Sequence, residues 1–286
     1  MPYSESDTRV KLIDPKIKES NWSENNIVRE YYFTDGRKLI GNKRGKRYFV
    51  DYLLTYKNTN LAIIEAKAQS KDPLDGLQQS INYAQKLKID FVYATNGDKI
   101  YEHSLIEGSG RWIAEYPTPD ELFERKFGQI QFKEEKVITH PFYLSDKKPR
   151  FYQQIAVQKS IESIASGKNR ILLTLATGTG KTYIAFQIVY RLFASKWSKD
   201  GSDRRPKILF LADRNVLADQ AYNTFNPLEK DIIRLNGKEI KKRAGKVPTN
   251  ANIFFAIYQS IAENKNRMIE TTDEENEDDV TAYYKQ

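Results

Sequence analysis

At 286 residues, 40% of them hydrophobic, the chain has material for one or two cored domains. Zero cysteines and two histidines, His103 and His140, exclude a disulfide framework, a thiolate zinc centre and a histidine-rich metal site. No apolar run is long enough for a membrane span and Met1–Asp7 is polar and acidic, unlike a secretory signal, so a cytoplasmic protein with no membrane partner is expected. The net charge of +8 includes seven acidic groups at 270–279, leaving the rest of the chain more basic still. That balance suits a polyanion partner or, equally, plain solubility.

Ser4 to Ile17 opens as a helix, with Ser4 as its cap and Glu5 and Arg9 one turn apart. Asn21–Tyr32 is a loop leading into a strand. A turn-rich basic patch follows, with Lys38, Lys43, Arg44, Lys46 and Arg47. Arg47–Tyr56 and Leu61–Lys67 are strands, joined by the turn residues Asn58-Thr59-Asn60. Alternation puts Glu65 and Lys67 on one face. Asp51 joins them only in the right register: a three-residue turn pairing Lys57 with Leu61 sets it opposite Lys67, and a four-residue turn needs a bulge. Two carboxylates and a lysine so placed suit Mg²⁺-assisted phosphodiester hydrolysis, with Asp51 and Glu65 as metal ligands and Lys67 orienting or deprotonating the water and offsetting anionic charge. In the helix from Leu74 to Lys88, the stripe Leu74, Leu77, Ile81 and Ala84 leaves Gln79 and Tyr83 on the opposite side. Phe91–Thr95 and Lys99–His103 form a hairpin over Asn96-Gly97. A short helix with Leu122, Phe123 and Phe127 closes the first domain, and Gln129–Lys148 is a charged connector.

Arg150–Ala156 opens a helix just ahead of the apolar strand Ile171–Ala176. After it comes Thr177-Gly178-Thr179-Gly180-Lys181-Thr182, then a helix over Tyr183–Phe193. Strand, glycine-rich turn and helix are the setting of a phosphate-binding loop: backbone amides turn around phosphate oxygens, Lys181 reaches the β/γ-phosphates and Thr182 ligates Mg²⁺ of Mg-ATP. The first glycine of the usual spacing is replaced by Leu175. Pro206–Ala212, Ile232–Leu235 and Ala251–Ile257 are further strands, with a helix over Val216–Phe225. This alternation implies a parallel sheet with helices on its faces. Lys238–Lys246 is a basic run and Glu270–Asp279 an acidic loop.

Asp51 followed by Glu65-x-Lys67 resembles the PD-(D/E)xK nuclease superfamily, and Gln79-x-x-x-Tyr83 a companion motif of nucleases fused to DNA motors. Arg150-x-Tyr152-Gln153 resembles the Q-motif of superfamily-two helicases, which implies that Gln153 reads adenine and that Arg150 and Tyr152 lie near the nucleotide. In this order the motifs resemble the restriction (motor) subunit of type I restriction–modification enzymes. The fold implied is a restriction-endonuclease-like α/β domain with its connector over 1–145, then the first RecA-like lobe over 146–286, incomplete before its acidic box. The resemblance implies a type I site-specific deoxyribonuclease acting on double-stranded DNA with Mg²⁺ and ATP, in complex with modification and specificity subunits. Asp51, Glu65 and Lys67 would cut, with Glu5 an added acidic group, and Gln79, Tyr83, Arg214 and Gln259 would contact DNA. A chain ending before the acidic box is expected to bind ATP weakly, without hydrolysing it or translocating DNA. The competing reading is a nucleic-acid-binding front domain on a helicase-type ATPase lobe, without nuclease activity.

Overall fold

The computed structural model describes residues 1–34, 46–144, 149–235 and 250–258. The chain divides into two compact units, Met1–Pro206 and Lys207–Gln286. Gln259, the basic run and the acidic loop lie outside the described residues.

The first unit opens with α1 (Glu5–Thr8), capped by Ser4, which runs through a π-turn at Arg9–Ile13 into α2 (Asp14–Glu19). A six-stranded sheet follows in sequence order: β1 (Ile27–Thr34), β2 (Arg47–Tyr56), β3 (Thr59–Ala66), β4 (Phe91–Thr95), β5 (Ile100–Ser104) and β6 (Ser109–Ile113). Only β3 and β4 are parallel; every other neighbouring pair is antiparallel. A parallel pair needs a crossover, and here it is α3 (Leu77–Leu87), entered through a 3₁₀ turn at Pro73–Gly76 and ended by Lys88 in the left-handed region. One core holds Ile13 and Ile17 of the N-terminal helix, Tyr52, Leu54, Ile64 and Tyr93 of the strands, and Leu122 of α4 (Pro119–Phe127). The other holds Phe33, Leu53, Ile63 and Val92 with Ala84 and Leu87 of α3. The connector contains a helix that its charge pattern concealed, α5 (Phe132–Ile138), and the edge strand β6 was likewise masked by a polar, glycine-containing sequence.

The expected turn between β2 and β3 is corrected. The loop is the two residues Lys57-Asn58, both at positive φ, and Tyr56 pairs with Thr59. Asn60 is therefore already inside β3. Positive φ at both central positions matches the twist of antiparallel strands. The loop also anchors helix α5, since Lys57 Nζ bonds Glu135 at 2.6 Å and Asn58 Nδ2 donates to the Thr139 carbonyl at 2.7 Å.

α6 (Phe151–Ala165) and α7 (Lys181–Ala194) complete this unit. Between them, Ile171–Thr177 belongs to no strand ladder among the described residues. The expected buried strand is thus not formed: with no backbone partner most of its apolar side chains stay in water, Leu172 at 89% exposure, and Leu175 alone of the run packs against the core of α5, α6 and α7. Among the described residues of the second unit, β7 (Ile208–Ala212), β8 (Ile232–Arg234) and β9 (Ile253–Ile257) form a parallel sheet in the order β7-β9-β8, with α8 (Asn215–Thr224) after β7. The parallel arrangement is as expected. β7 differs, because Leu209 and Leu211 are exposed rather than buried. No described helix is long and apolar enough to cross a membrane.

Candidate nuclease and nucleotide sites

β2 and β3 bring Asp51 and Glu65 together through a bulge. Thr55 pairs with Asn60, but Leu54 pairs with Ala62, so one residue of β3 is skipped and the register moves by one. Continuing the pairs Leu53–Ile63 and Tyr52–Ile64 by one step sets Asp51 opposite Glu65. Without the bulge Ile64 would stand there, since a one-residue slip turns every side chain to the other face. Lys67 is not the residue opposite Asp51, as a three-residue turn would have required. It reaches the site from beyond the end of β3, and its Nζ donates to Glu65 Oε1 at 2.8 Å.

Asp51 Oδ2 accepts from the Ala66 amide at 2.8 Å, and its Oδ1 lies 3.6 Å from Arg9 Nη1. Arg9 therefore does not serve Glu5 as the i,i+4 spacing suggests. It turns inward to Asp51 and Glu30, with its guanidinium over the Tyr52 ring. Glu65 is buried, and burial, reinforced by the Asp51 charge, holds its carboxyl above the usual range despite Lys67 and Ser80, which pull it down. For Lys67 burial acts to lower the ammonium pKa, but the bond to Glu65 and the charges of Glu65, Glu5 and Asp51 outweigh it and hold it raised. Glu5 itself is exposed on the first turn of α1 and contributes at the Lys67 side.

Two residues of this site were not singled out in the sequence. A Cβ on Gly76 would meet Lys67 Cε at 2.8 Å and Glu65 Cγ at 3.0 Å, so the lysine stem lies against a bare backbone. Ser80, fully buried on α3, donates to the Gly76 carbonyl at 3.1 Å and touches Glu65. The only sequence signal is a glycine at the end of Pro73-Leu-Asp-Gly76, just ahead of a helix. Gln79 is exposed, as expected. Tyr83 is half-buried and bonded to Gln79, and its ring packs edge-on to Phe33 at 5.6 Å and against Tyr48 at 5.3 Å. Its expected place opposite the helix's apolar stripe is therefore corrected, because that side of α3 is met by the aromatic end of the β1–β2 hairpin. Among the described residues no three acidic or histidine side chains converge on one point. Asp51 and Glu65 still supply opposed hard oxygen donors, one buried and resisting ionisation, which fits a divalent cation such as Mg²⁺. The cations that face them are Lys67 and Arg9.

At the second site Gly178 and Gly180 have φ of +75° and +85°, conformations that only glycine adopts readily, and Lys181 begins α7. Thr179 Oγ1 donates to the Ala176 carbonyl at 2.7 Å. Tyr152 and Gln153 converge on the loop: Tyr152 Oη and Gln153 Nε2 both donate to the Thr179 carbonyl, at 3.1 and 2.9 Å, and Arg150 Nη1 donates to Tyr152 Oη at 3.0 Å. Gln153 Oε1 accepts the Arg150 amide at 2.9 Å and so caps the start of α6, while its Nε2 braces the loop; both ends of the buried amide are engaged. Lys181 Nζ donates to the Leu175 carbonyl at 3.3 Å, folded onto its own loop. Thr177 is exposed and Thr182 half-buried in the first turn of α7. The loop's amides, lysine and helix start are a donor set suited to phosphate. Arg214, at the N-cap of α8, is exposed.

Comparison with known proteins places these features in context. The family described as "Type III restriction enzyme, res subunit" matches residues 146–282. The EcoAI endonuclease subunit of a type I restriction enzyme from Escherichia coli is 36% identical over 277 residues, covering 90% of this chain and 32% of that protein. The EcoKI endonuclease subunit from Escherichia coli K12 is 26% identical over 329 residues, covering 90% and 27%. A solved fragment of an HsdR subunit of a type I restriction enzyme from Vibrio vulnificus is 38% identical and superposes with a TM-score of 0.78, covering 92% of this chain and 48% of that one. The chain spans about a third of the length of the curated relatives it matches.

Proposed function

Because the chain is homologous over most of its length to the endonuclease (HsdR) subunits of type I restriction enzymes, we propose that it combines a Mg²⁺-dependent double-stranded DNA nuclease with the beginning of an ATP-driven DNA motor. The boundary between the two lies near 145/146, with a restriction-endonuclease-like domain before it and a RecA-like lobe after it. The observation that carries this reading is the bulge that sets Asp51 opposite Glu65 beside Lys67.

Bound Mg²⁺ supplies an activated water and offsets the charge that develops on the phosphodiester. Asp51 and Glu65 hold it. Lys67, kept in place by Glu65 and the bare backbone of Gly76, orients the water and faces the anionic phosphate. Glu5 adds an acidic group on the Lys67 side. Gln79 and Tyr83 on α3, and Arg214 and Gln259 in the second unit, contact DNA. Thr177 to Thr182 receive the ATP phosphates, with Lys181 leaving the Leu175 carbonyl for the β/γ-phosphates and Thr182 ligating the nucleotide's Mg²⁺. Arg150, Tyr152 and Gln153 hold the loop from the adenine side. In the whole protein this lobe works in the cytoplasm with modification and specificity subunits and converts ATP hydrolysis into DNA translocation.

Mn²⁺ binding followed by electron paramagnetic resonance, without nucleotide, tests the nuclease site. One site lost in Asp51→Asn is expected. Steeply salt-dependent DNA binding with no Mn²⁺ site would instead identify a nucleic-acid-binding domain without nuclease chemistry.

A further inference from the structure

The two proposed sites are joined by a continuous line of aromatic side chains. Tyr152, whose hydroxyl donates to the Thr179 carbonyl of the phosphate loop, meets Phe151 edge-on at 5.7 Å. Phe151 is the first residue of α6, yet it packs into the core between the sheet and α3, where its ring lies 5.8 Å from that of Phe33. Phe33, 2% exposed, meets Tyr83 edge-on at 5.6 Å. Tyr83 stands on α3, the helix whose Ser80 touches Glu65 and whose lead-in glycine, Gly76, lies against Lys67.

We propose that Phe151 is a positioning residue that couples occupancy of the phosphate loop to the placement of Tyr83 and, through α3, of Glu65 and Lys67. The physical basis is close packing. Thr179 is held by two consecutive residues of α6, Tyr152 and Gln153, so a loop that closes on phosphate moves the start of that helix. A ring wedged against buried Phe33 transmits the movement, because a packed interior shifts in discrete steps instead of deforming smoothly. The nuclease site would then take its working geometry only when the motor holds nucleotide. This rests on both site assignments above.

The test is ¹⁹F NMR of the chain labelled with 3-fluorotyrosine, with the Tyr83 resonance assigned from Tyr83→Phe and titrated with the Mg²⁺ complex of a non-hydrolysable ATP analogue. Nucleotide affinity is measured in parallel by calorimetry. The parent should show a shift of the Tyr83 resonance that saturates with the analogue. Phe151→Leu should bind it within about threefold of the parent but lose the shift. Phe151→Tyr, which keeps the ring, should recover it, and Phe33→Leu should lose it from the other end. Bound nucleotide with an unmoved Tyr83 resonance in the parent, or a shift that survives Phe151→Leu, overturns the coupling and leaves the ATP site standing. A parent that binds no nucleotide overturns the phosphate-loop assignment, and the coupling with it.

Discussion

The Ala66 amide donates to Asp51 Oδ2 at 2.8 Å, just past the point where Asp51 stands opposite Glu65. One carboxylate thus ends the β2–β3 ladder with one oxygen, while the other faces Arg9. These two roles separate on substitution. Asp51→Asn keeps a carbonyl oxygen for the Ala66 amide and should melt within a few degrees of the parent while losing Mn²⁺ binding and DNA cleavage. Asp51→Ala also removes the acceptor, which should cost a further ~1 kcal/mol in urea denaturation.

Glu65 gives a pH signature. Its carboxyl is raised by burial, so the folded chain holds the proton more tightly than the unfolded chain. Its contribution to stability is fully present below the unfolded value of 4.5 and is lost as pH rises through the folded one. Glu65→Gln should therefore melt a few degrees higher than the parent at about pH 8, the difference vanishing as pH falls below about 4. Calorimetric melts across that range would check it. Equal melting temperatures throughout would mean that Glu65 is not held above its ordinary range.

Glu102 runs the opposite way. Burial opposes its ionisation, but Arg125 at 2.7 and 3.0 Å, the Tyr93 hydroxyl at 2.9 Å and Arg111 at 3.1 Å outweigh that and lower its pKa. Its contribution is present above the unfolded value of 4.5 and disappears as pH falls through the folded one. Glu102→Ala leaves Arg125 only the more distant Glu107, at 3.9 Å, and should cost ~2–3 kcal/mol at neutral pH, measured by urea denaturation. The loss should shrink in acid.

Gly76→Ala tests the lysine's seat. The backbone there, φ −106°, accepts alanine, but the new methyl would meet the Lys67 stem at 2.8 Å. A flexible stem gives way, so the expected outcome is a small change in melting temperature, within ~1 kcal/mol, together with a large loss of cleavage in the assembled enzyme. Unchanged cleavage would show that Lys67 does not act from this position.

Gly180→Ala should fail in both respects. Its φ of +85° strains alanine, and the methyl would come within 2.5 Å of Gln153 Nε2, the group that braces Thr179. Isothermal calorimetry should show ATP affinity down at least ~10-fold, about 1.4 kcal/mol, with α7 retained by circular dichroism.

Much of the arrangement is legible in the sequence because it is local. Apolar runs rich in aromatic and aliphatic residues give β2 and β3, the glycines and Lys181 give the phosphate loop and the start of α7, and Asp51, Glu65 and Lys67 stand out as a triad by their chemistry. Long-range facts are not local. A two-residue turn followed by a bulge at Leu54/Thr55 decides which residue faces Asp51, and pairing energy across strands selects that register over its neighbours. Arg9 is drawn to Asp51 and not to Glu5 because the N-terminal helix docks on the sheet, a choice that helical spacing cannot express. Tyr83 looks like a solvent-side helix residue, and only the packing of α3 and α6 around Phe33 brings it and Phe151 into one core. The exposed run Ile171–Thr177 marks the same limit from the other side: composition supplies a strand former, but a strand exists only where another backbone accepts its hydrogen bonds. The sequence by itself thus determined which groups are available for metal, phosphate and DNA, and the tertiary structure decided which of them meet.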